Sequence, residues 1–176
     1  MKQSKIQLAN LYLVKVQLME NSRWDESEAT DDQTGKLALQ SAKTIAKNPD
    51  YWDADDEVDE ATRNHTYLVK LGIRTPPGSE NGYPYSFEVI FSGIIVNFDP
   101  TDGNSDQMAT KYGLALLYGA VRDQVVGMTS KMKRGQLLLP TMSFEDETYE
   151  ELFAAHERLE ALREKKKLAA QQPTAH

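Results

Sequence analysis

Residues 6 to 19, IQLANLYLVKVQLM, set Ile6, Leu8, Tyr12, Val14, Val16 and Leu18 on even positions and Gln7, Lys15 and Gln17 on odd ones. Alternation with a period of two marks a strand with one buried face. Asn10 is the polar exception on that face. The stretch HTYLVKLGIR at 65 to 74 repeats the pattern, with Tyr67, Val69, Leu71 and Ile73 on one side and Thr66, Lys70 and Arg74 on the other. A turn rich in Pro, Gly and Asn follows, TPPGSENGYP, and then a third strand, YSFEVIFSGIIVNF, from Tyr85 to Phe98. Gly93 interrupts this last run, and a bulge or a change of buried face is expected there. Long strands in hairpin order form an antiparallel sheet, one face of which must be covered.

From about Ser105 to Arg134 the apolar spacing becomes helical. Leu114, Leu117, Val121, Val125, Met128 and Met132 step by three or four, and Met108, Tyr112, Leu116 and Ala120 form a second stripe beside them. Two stripes imply two contacts. Lys131, Lys133 and Arg134 complement the dipole in the last turn, and Gly135 suits a left-handed closing residue. QLLLPTMSF then runs extended, because Pro140 cannot continue a helix. A final helix starts at the acidic turn Glu145 to Glu147, with Tyr149, Leu152, Phe153, His156, Leu159 and Leu162 on one face.

The segment GKLALQSAKTIAKN at 35 to 48 fits a short helix or an added strand. The pattern predicts an α+β fold, a long-stranded antiparallel sheet with one face covered by two C-terminal helices. It forms a single domain over 1–176, with an acidic excursion at about 20–62 and a tail that frays from about residue 166.

Charge refines this picture. Between Glu20 and Glu60 there are 13 acidic and 4 basic residues, a net of −9, whereas the whole chain carries −7, so everything else carries +2. An acidic chain is a poor general binder of nucleic acid. The acidic segment reads as a solvated, partly mobile excursion, or else as a docking surface for a basic partner anchored by Trp24, Tyr51 and Trp52. With no cysteine, disulfides, thiolate metal sites and thiol nucleophiles are excluded. The opening MKQSKIQLAN lacks the basic head and apolar core of a signal peptide, and the longest mainly apolar run, Tyr112 to Val121, is about half of the roughly 20 residues that span a bilayer. A cytoplasmic protein without a membrane span is expected.

Catalytic signatures are absent. No phosphate loop, GxSxG, HExxH or EF-hand spacing occurs, and DPTDGNSD at 99 to 106 lacks the closing Glu of a calcium loop. His65, His156 and His176 stand far apart in unlike contexts. No catalytic constellation, metal site or cofactor site is expected, and the chain does not read as an enzyme.

The stretch LLYGAVRDQVVGMTSKMKRGQLLLPTMSFE, Leu116 to Glu145, resembles the signature region of the SecB family of export chaperones and their SecB-like relatives. Tyr118, Ala120 and Arg122 match its helical part, and Gly135, Leu137, Leu139, Pro140 and Phe144 its extended part; Ser143 stands where Asn is usual. The order of elements is similar as well. The resemblance implies an ATP-independent holdase, a homotetramer built as a dimer of dimers, that keeps unfolded polypeptides in apolar grooves. The clients would be preproteins for export or an antitoxin of a toxin-antitoxin system. The zinc-binding Cys tail through which export chaperones meet SecA has no counterpart in AAQQPTAH, so any SecA contact would use other surfaces.

Under that reading the peptide-binding residues are Tyr83, Tyr85, Phe87 and Phe91 on the aromatic strand, with Leu137, Leu139, Met142 and Phe144 as a flexible apolar lip. Leu114, Leu117, Tyr118, Val121, Val125 and Met128 on the two-striped helix form the oligomer interface. Leu139→Asp is then expected to weaken client capture and leave the oligomer intact. A rival reading is a non-catalytic adaptor or structural subunit whose apolar faces are buried by one fixed partner.

Overall fold

The computed structural model describes residues 5–22, 24, 39–78, 83–100 and 103–171. Strands β1 (Ile6–Glu20), β2 (Gln40–Lys47), β3 (Thr66–Arg74) and β4 (Tyr85–Asn97) are joined by a short turn of 3-10 helix at Pro49–Tyr51 and by helix α1 (Glu60–Asn64), and are followed by helices α2 (Ser105–Thr129) and α3 (Tyr149–Gln171). The four strands form one antiparallel sheet in the order β1-β4-β3-β2. The α+β expectation, an antiparallel sheet with helices after it, is borne out. The ambiguous 35–48 segment supplies an edge strand, so the chain between Glu20 and Gln40 connects opposite edges of the sheet. Much of that connection lies outside the described residues.

Helix α2 lays Leu114, Leu117, Val121 and Val125, all fully buried, across a floor that includes Tyr67, Val69, Leu71, Val89, Phe91 and Ile95. Gly93 owes its place to this packing. A Cβ there would stand 2.9 Å from Leu117 Cδ1, 3.0 Å from Leu8 Cδ1 and 3.3 Å from the Asn10 carbonyl oxygen. The glycine is a point of close approach between helix and sheet, and the expected bulge lies instead in the neighbouring strand. Gly93→Val should therefore lower stability by about 1–3 kcal/mol through overpacking, read as a shift of the urea midpoint with an unchanged slope.

Two register shifts break β1, between Leu8 and Asn10 and between Leu13 and Lys15. Directly opposed residues share a face. Leu8 lies opposite Ile95, Leu11 opposite Gly93, Leu13 opposite Phe91, Val16 opposite Val89 and Leu18 opposite Phe87, so the helix-facing side of β1 is Ile6, Leu8, Leu11, Leu13, Val16 and Leu18. This corrects the simple even-position reading. Tyr12, opposite Ser92, and Asn10, opposite Ile94, lie on the outer face. The polar exception follows from the first bulge, because one extra residue moves every later side chain to the other side.

That outer face is covered at one end by the second half of the acidic excursion. Trp52 Nε1 donates to Thr66 Oγ1 at 2.9 Å, and Asn10 Nδ2 donates to the Tyr51 hydroxyl at 2.9 Å. Arg63 holds the loop by donating to the carbonyls of Trp52 at 3.2 Å, Asp53 at 2.8 Å and Asp56 at 3.0 Å. Asp59 caps α1 by accepting from the Thr62 N–H at 2.8 Å, and this bond holds its carboxyl below the usual range. Residues 48–64 are thus tied to the sheet, unlike the mobile excursion expected from their charge. Tyr51 and Trp52 make these bonds within their own chain. Trp24 receives the Arg134 guanidinium 5.2 Å from its ring centroid, and its carbonyl accepts from Arg134 Nη1 at 2.8 Å. Arg134 Nε is also 2.8 Å from Glu20 Oε1 but makes no directed bond, so charge holds that pair.

Helix α2 ends at Thr129, short of the expected Arg134. The Thr129 hydroxyl donates to the Val125 carbonyl at 2.8 Å and accepts from the Leu137 N–H at 2.9 Å, which ties the helix end to the segment after it. Gly135 takes the expected left-handed conformation, with φ 79°. Helix α3 continues to Gln171, past the point where fraying was expected. Leu152 is buried near its start, and residues 161–170 are all exposed.

Candidate functional site

Between α2 and α3 runs an extended strap, residues 136–147, that the sequence sets up with Gly135 at its start and Pro140 in its middle. Its anchors are clear. Leu139 and Phe144 are buried, the Tyr118 hydroxyl donates to the Pro140 carbonyl, and the Phe144 ring meets Tyr118 edge-on with centroids 5.9 Å apart. Burial pushes the Tyr118 phenol up, so it stays protonated as a donor. At the far end Glu147 pairs with Lys43, its carbonyl accepts from Gln107 Nε2 at 2.6 Å, and Gln107 Oε1 accepts from the Tyr149 N–H at 3.2 Å. The Tyr67 hydroxyl donates to Asp106 beside this end, and burial pushes that phenol up as well.

A strap held at both ends leaves a cleft of about 460 Å³ against the first half of α2. Met108, Tyr112, Ala115, Met142 and Phe144 supply its apolar lining. Asn104, Gln107, Lys111, Ser143 and Glu145 supply its polar rim, where Lys111 Nζ and Glu145 Oε2 form an ion pair at 2.7 Å. Thioethers and aromatic rings at the mouth of an open cleft can repack around different apolar side chains.

The residues expected to bind peptide are divided by the structure. Met142 and Phe144 line the cleft. Phe87, Phe91 and Leu139 belong to the buried core, and Tyr85 is buried with its hydroxyl donating to the Gly135 carbonyl at 2.7 Å. Leu137 packs partly against that core, and Tyr83 is half-buried, its carbonyl accepting from Asn21 Nδ2 at 2.8 Å. Strand pairing and α2 cover the aromatic strand that seemed, from composition, available to a client.

A similar reassignment applies to the expected interface. Leu114, Leu117, Val121 and Val125 are covered by their own sheet, Tyr118 by its own strap, and Met128 packs partly against the same core. Met128 stays partly exposed, and the other five have no free surface to offer a second subunit. The second stripe is the open one, with Tyr112 and Leu116 exposed on α2.

Sequence reading missed the exposed apolar side chains of β1. Leu11, Tyr12, Leu13, Val14, Val16 and Met19 of β1 are between 41% and 57% exposed. Leu117 sits over Gly93, the partner of Leu11, so on the helix-facing side α2 crosses the sheet beside Leu11, Leu13 and Val16 and leaves them partly uncovered. The unbroken run LYLV, apolar at both parities, was the available signal.

Among the described residues no group of three or more His, Asp or Glu side chains is placed to hold a metal ion, and no helix is long and apolar enough to cross a membrane.

No protein-family model matches the chain, and no curated protein matches it. Two solved structures are similar in outline. One is a SecB-like chaperone of Mycobacterium tuberculosis, in complex with a ChAD peptide from an antitoxin, at 16% identity over 78% of this chain and 91% of that one, with a TM-score of 0.47. The other is a protein of unknown function from Streptococcus agalactiae, at 12% identity over 77% of this chain and 97% of that one, with a TM-score of 0.39.

Proposed function

We propose that this protein is an ATP-independent holdase, an oligomeric chaperone that captures non-native polypeptide, and that the cleft between α2 and the strap receives client side chains. The observation that carries the reading is the cleft itself, an open apolar furrow walled by Met108, Tyr112 and Met142 and kept open by a strap fixed on either side. The similarity of Leu116 to Glu145 to the SecB signature points the same way. That segment supplies the strap wall, with Met142 and Phe144, while the helical wall comes from the α2 residues just before it, among them Met108, Tyr112 and Ala115.

Burying one large client side chain yields about 1.5–3 kcal/mol. Micromolar affinity corresponds to about 8 kcal/mol after ordering costs, so a client must engage several clefts at once. Assembly supplies them. The free edge of β1 and its uncovered side chains suit a second copy of the chain, and Leu116 on α2 suits a further pairing of dimers, giving a homotetramer. Its clients are preproteins for export or a dedicated antitoxin, and the site of action is the cytoplasm.

Met142→Glu places a charge in the cleft at a side chain that borders the core without being buried in it. It should weaken binding of an unfolded client about tenfold or more, the loss of one apolar anchor, with an unchanged circular dichroism spectrum. Light-scattering assays with several unrelated denatured proteins measure the function directly. Failure of the parent protein to suppress aggregation of any of them, together with purification alongside one constant companion, would replace the holdase reading with the adaptor reading.

A further inference from the structure

The cleft has a charged rim whose members are held unequally, and this asymmetry bears on which client segments it selects. Lys111 rises from α2, and its side chain is 31% exposed; its partner Glu145 lies on a turn of the strap and is 76% exposed. Glu145 does not hold the strap in place. That work falls to Glu147, which is paired with Lys43 and linked through its carbonyl to Gln107, and to the buried rings of Phe144 and Tyr118. The Glu145 side chain can swing into solvent while the strap and its apolar lining stay where they are. Lys111 is the less exposed of the two, and its backbone is fixed because its helix is packed on the sheet through neighbours such as Leu114.

We propose that Glu145 acts as an exchangeable stand-in for a client carboxylate, and that Lys111 selects client segments in which an acidic residue follows a large apolar one. This rests on the holdase reading and narrows its substrate class. The apolar side chain enters between Met108, Tyr112 and Met142, and the client's Asp or Glu displaces Glu145 from the ammonium group. The exchange replaces one carboxylate with another on Lys111, and the displaced Glu145 carboxylate passes into water, to which its side chain is already 76% exposed.

The test uses the assembled full chain and three fluorescent twelve-residue peptides that share one apolar cluster and differ by a single adjacent Asp, Asn or Lys. Anisotropy titrations should show the Asp peptide binding about twofold tighter than the Asn peptide, because the Lys111–Glu145 pair that is lost offsets part of the exposed ion pair that is gained, with the Lys peptide weakest. Glu145→Gln removes the internal competitor and should widen the Asp-to-Asn ratio. Lys111→Gln should bring that ratio to about one, while Lys111→Arg preserves it, and added salt should narrow it. Equal binding of all three peptides by the parent chain overturns the carboxylate exchange and leaves the cleft as a client site. No binding of any peptide overturns the holdase reading beneath it.

Discussion

Leu139→Asp is expected to unfold the protomer. Leu139 is 3% exposed and packed in the core beneath the strap, so an aspartate there would be a buried charge with no partner. Such charges cost about 3–5 kcal/mol, a large part of the roughly 5–15 kcal/mol that holds a typical domain together. Urea denaturation should show the midpoint falling steeply, with assembly and client capture lost together. Leu138, next along the strap and 69% exposed, provides the control. Leu138→Asp should change stability by no more than about 0.5 kcal/mol. The two substitutions differ only in which side of the strap they occupy. An Leu139→Asp chain as stable as its parent would show that the strap does not seat that side chain.

The double substitution Leu13→Asp with Val16→Asp should have its effect on assembly. Both side chains belong to the helix-facing side of β1 yet stay more than 40% exposed, so the change costs the isolated protomer little. In a symmetric pair each substitution counts twice. At about 1.5–3 kcal/mol per apolar side chain, the loss approaches the 8 kcal/mol of a micromolar association. Sedimentation should therefore find a smaller species with a native circular dichroism spectrum, and suppression of aggregation should fall as the number of linked clefts falls. An unchanged mass would remove β1 from the interface.

The strands at 65–74 and 85–98 and the helix from Ser105 were legible because each repeats its period over enough residues to commit a face. The segment at 35 to 48 was not, because QSAKTIAK holds small and charged residues with little amplitude at any period, and it becomes a strand by pairing with β3. The site was harder to read than the fold. Leu139 and Met142 look alike in a list of apolar residues, and only the course of the strap sends one into the core and leaves the other at the cleft. The two stripes of α2 were visible, but which one meets the sheet depends on the alignment of Gly113 and Gly93 with their neighbours, a three-dimensional fact. Negative charge between Glu20 and Glu60 suggested mobility. Over residues 48–64 Trp52, Tyr51 and Arg63 outweigh it by bonding to the sheet and to carbonyls of their own loop.

Among the described residues β1 is a long edge rich in leucine and valine, and such an edge invites pairing of sheet with sheet into fibres. The irregularities at Ala9 and Val14 twist that border away from the flat ribbon that endless growth requires. Its opposite border, β2, is only eight residues long and places Lys43 and Lys47 toward the helices. Head-to-tail polymerisation would have to match a kinked border of fifteen residues to this short one. In the proposed assembly a closed pair of identical borders is therefore favoured over a filament.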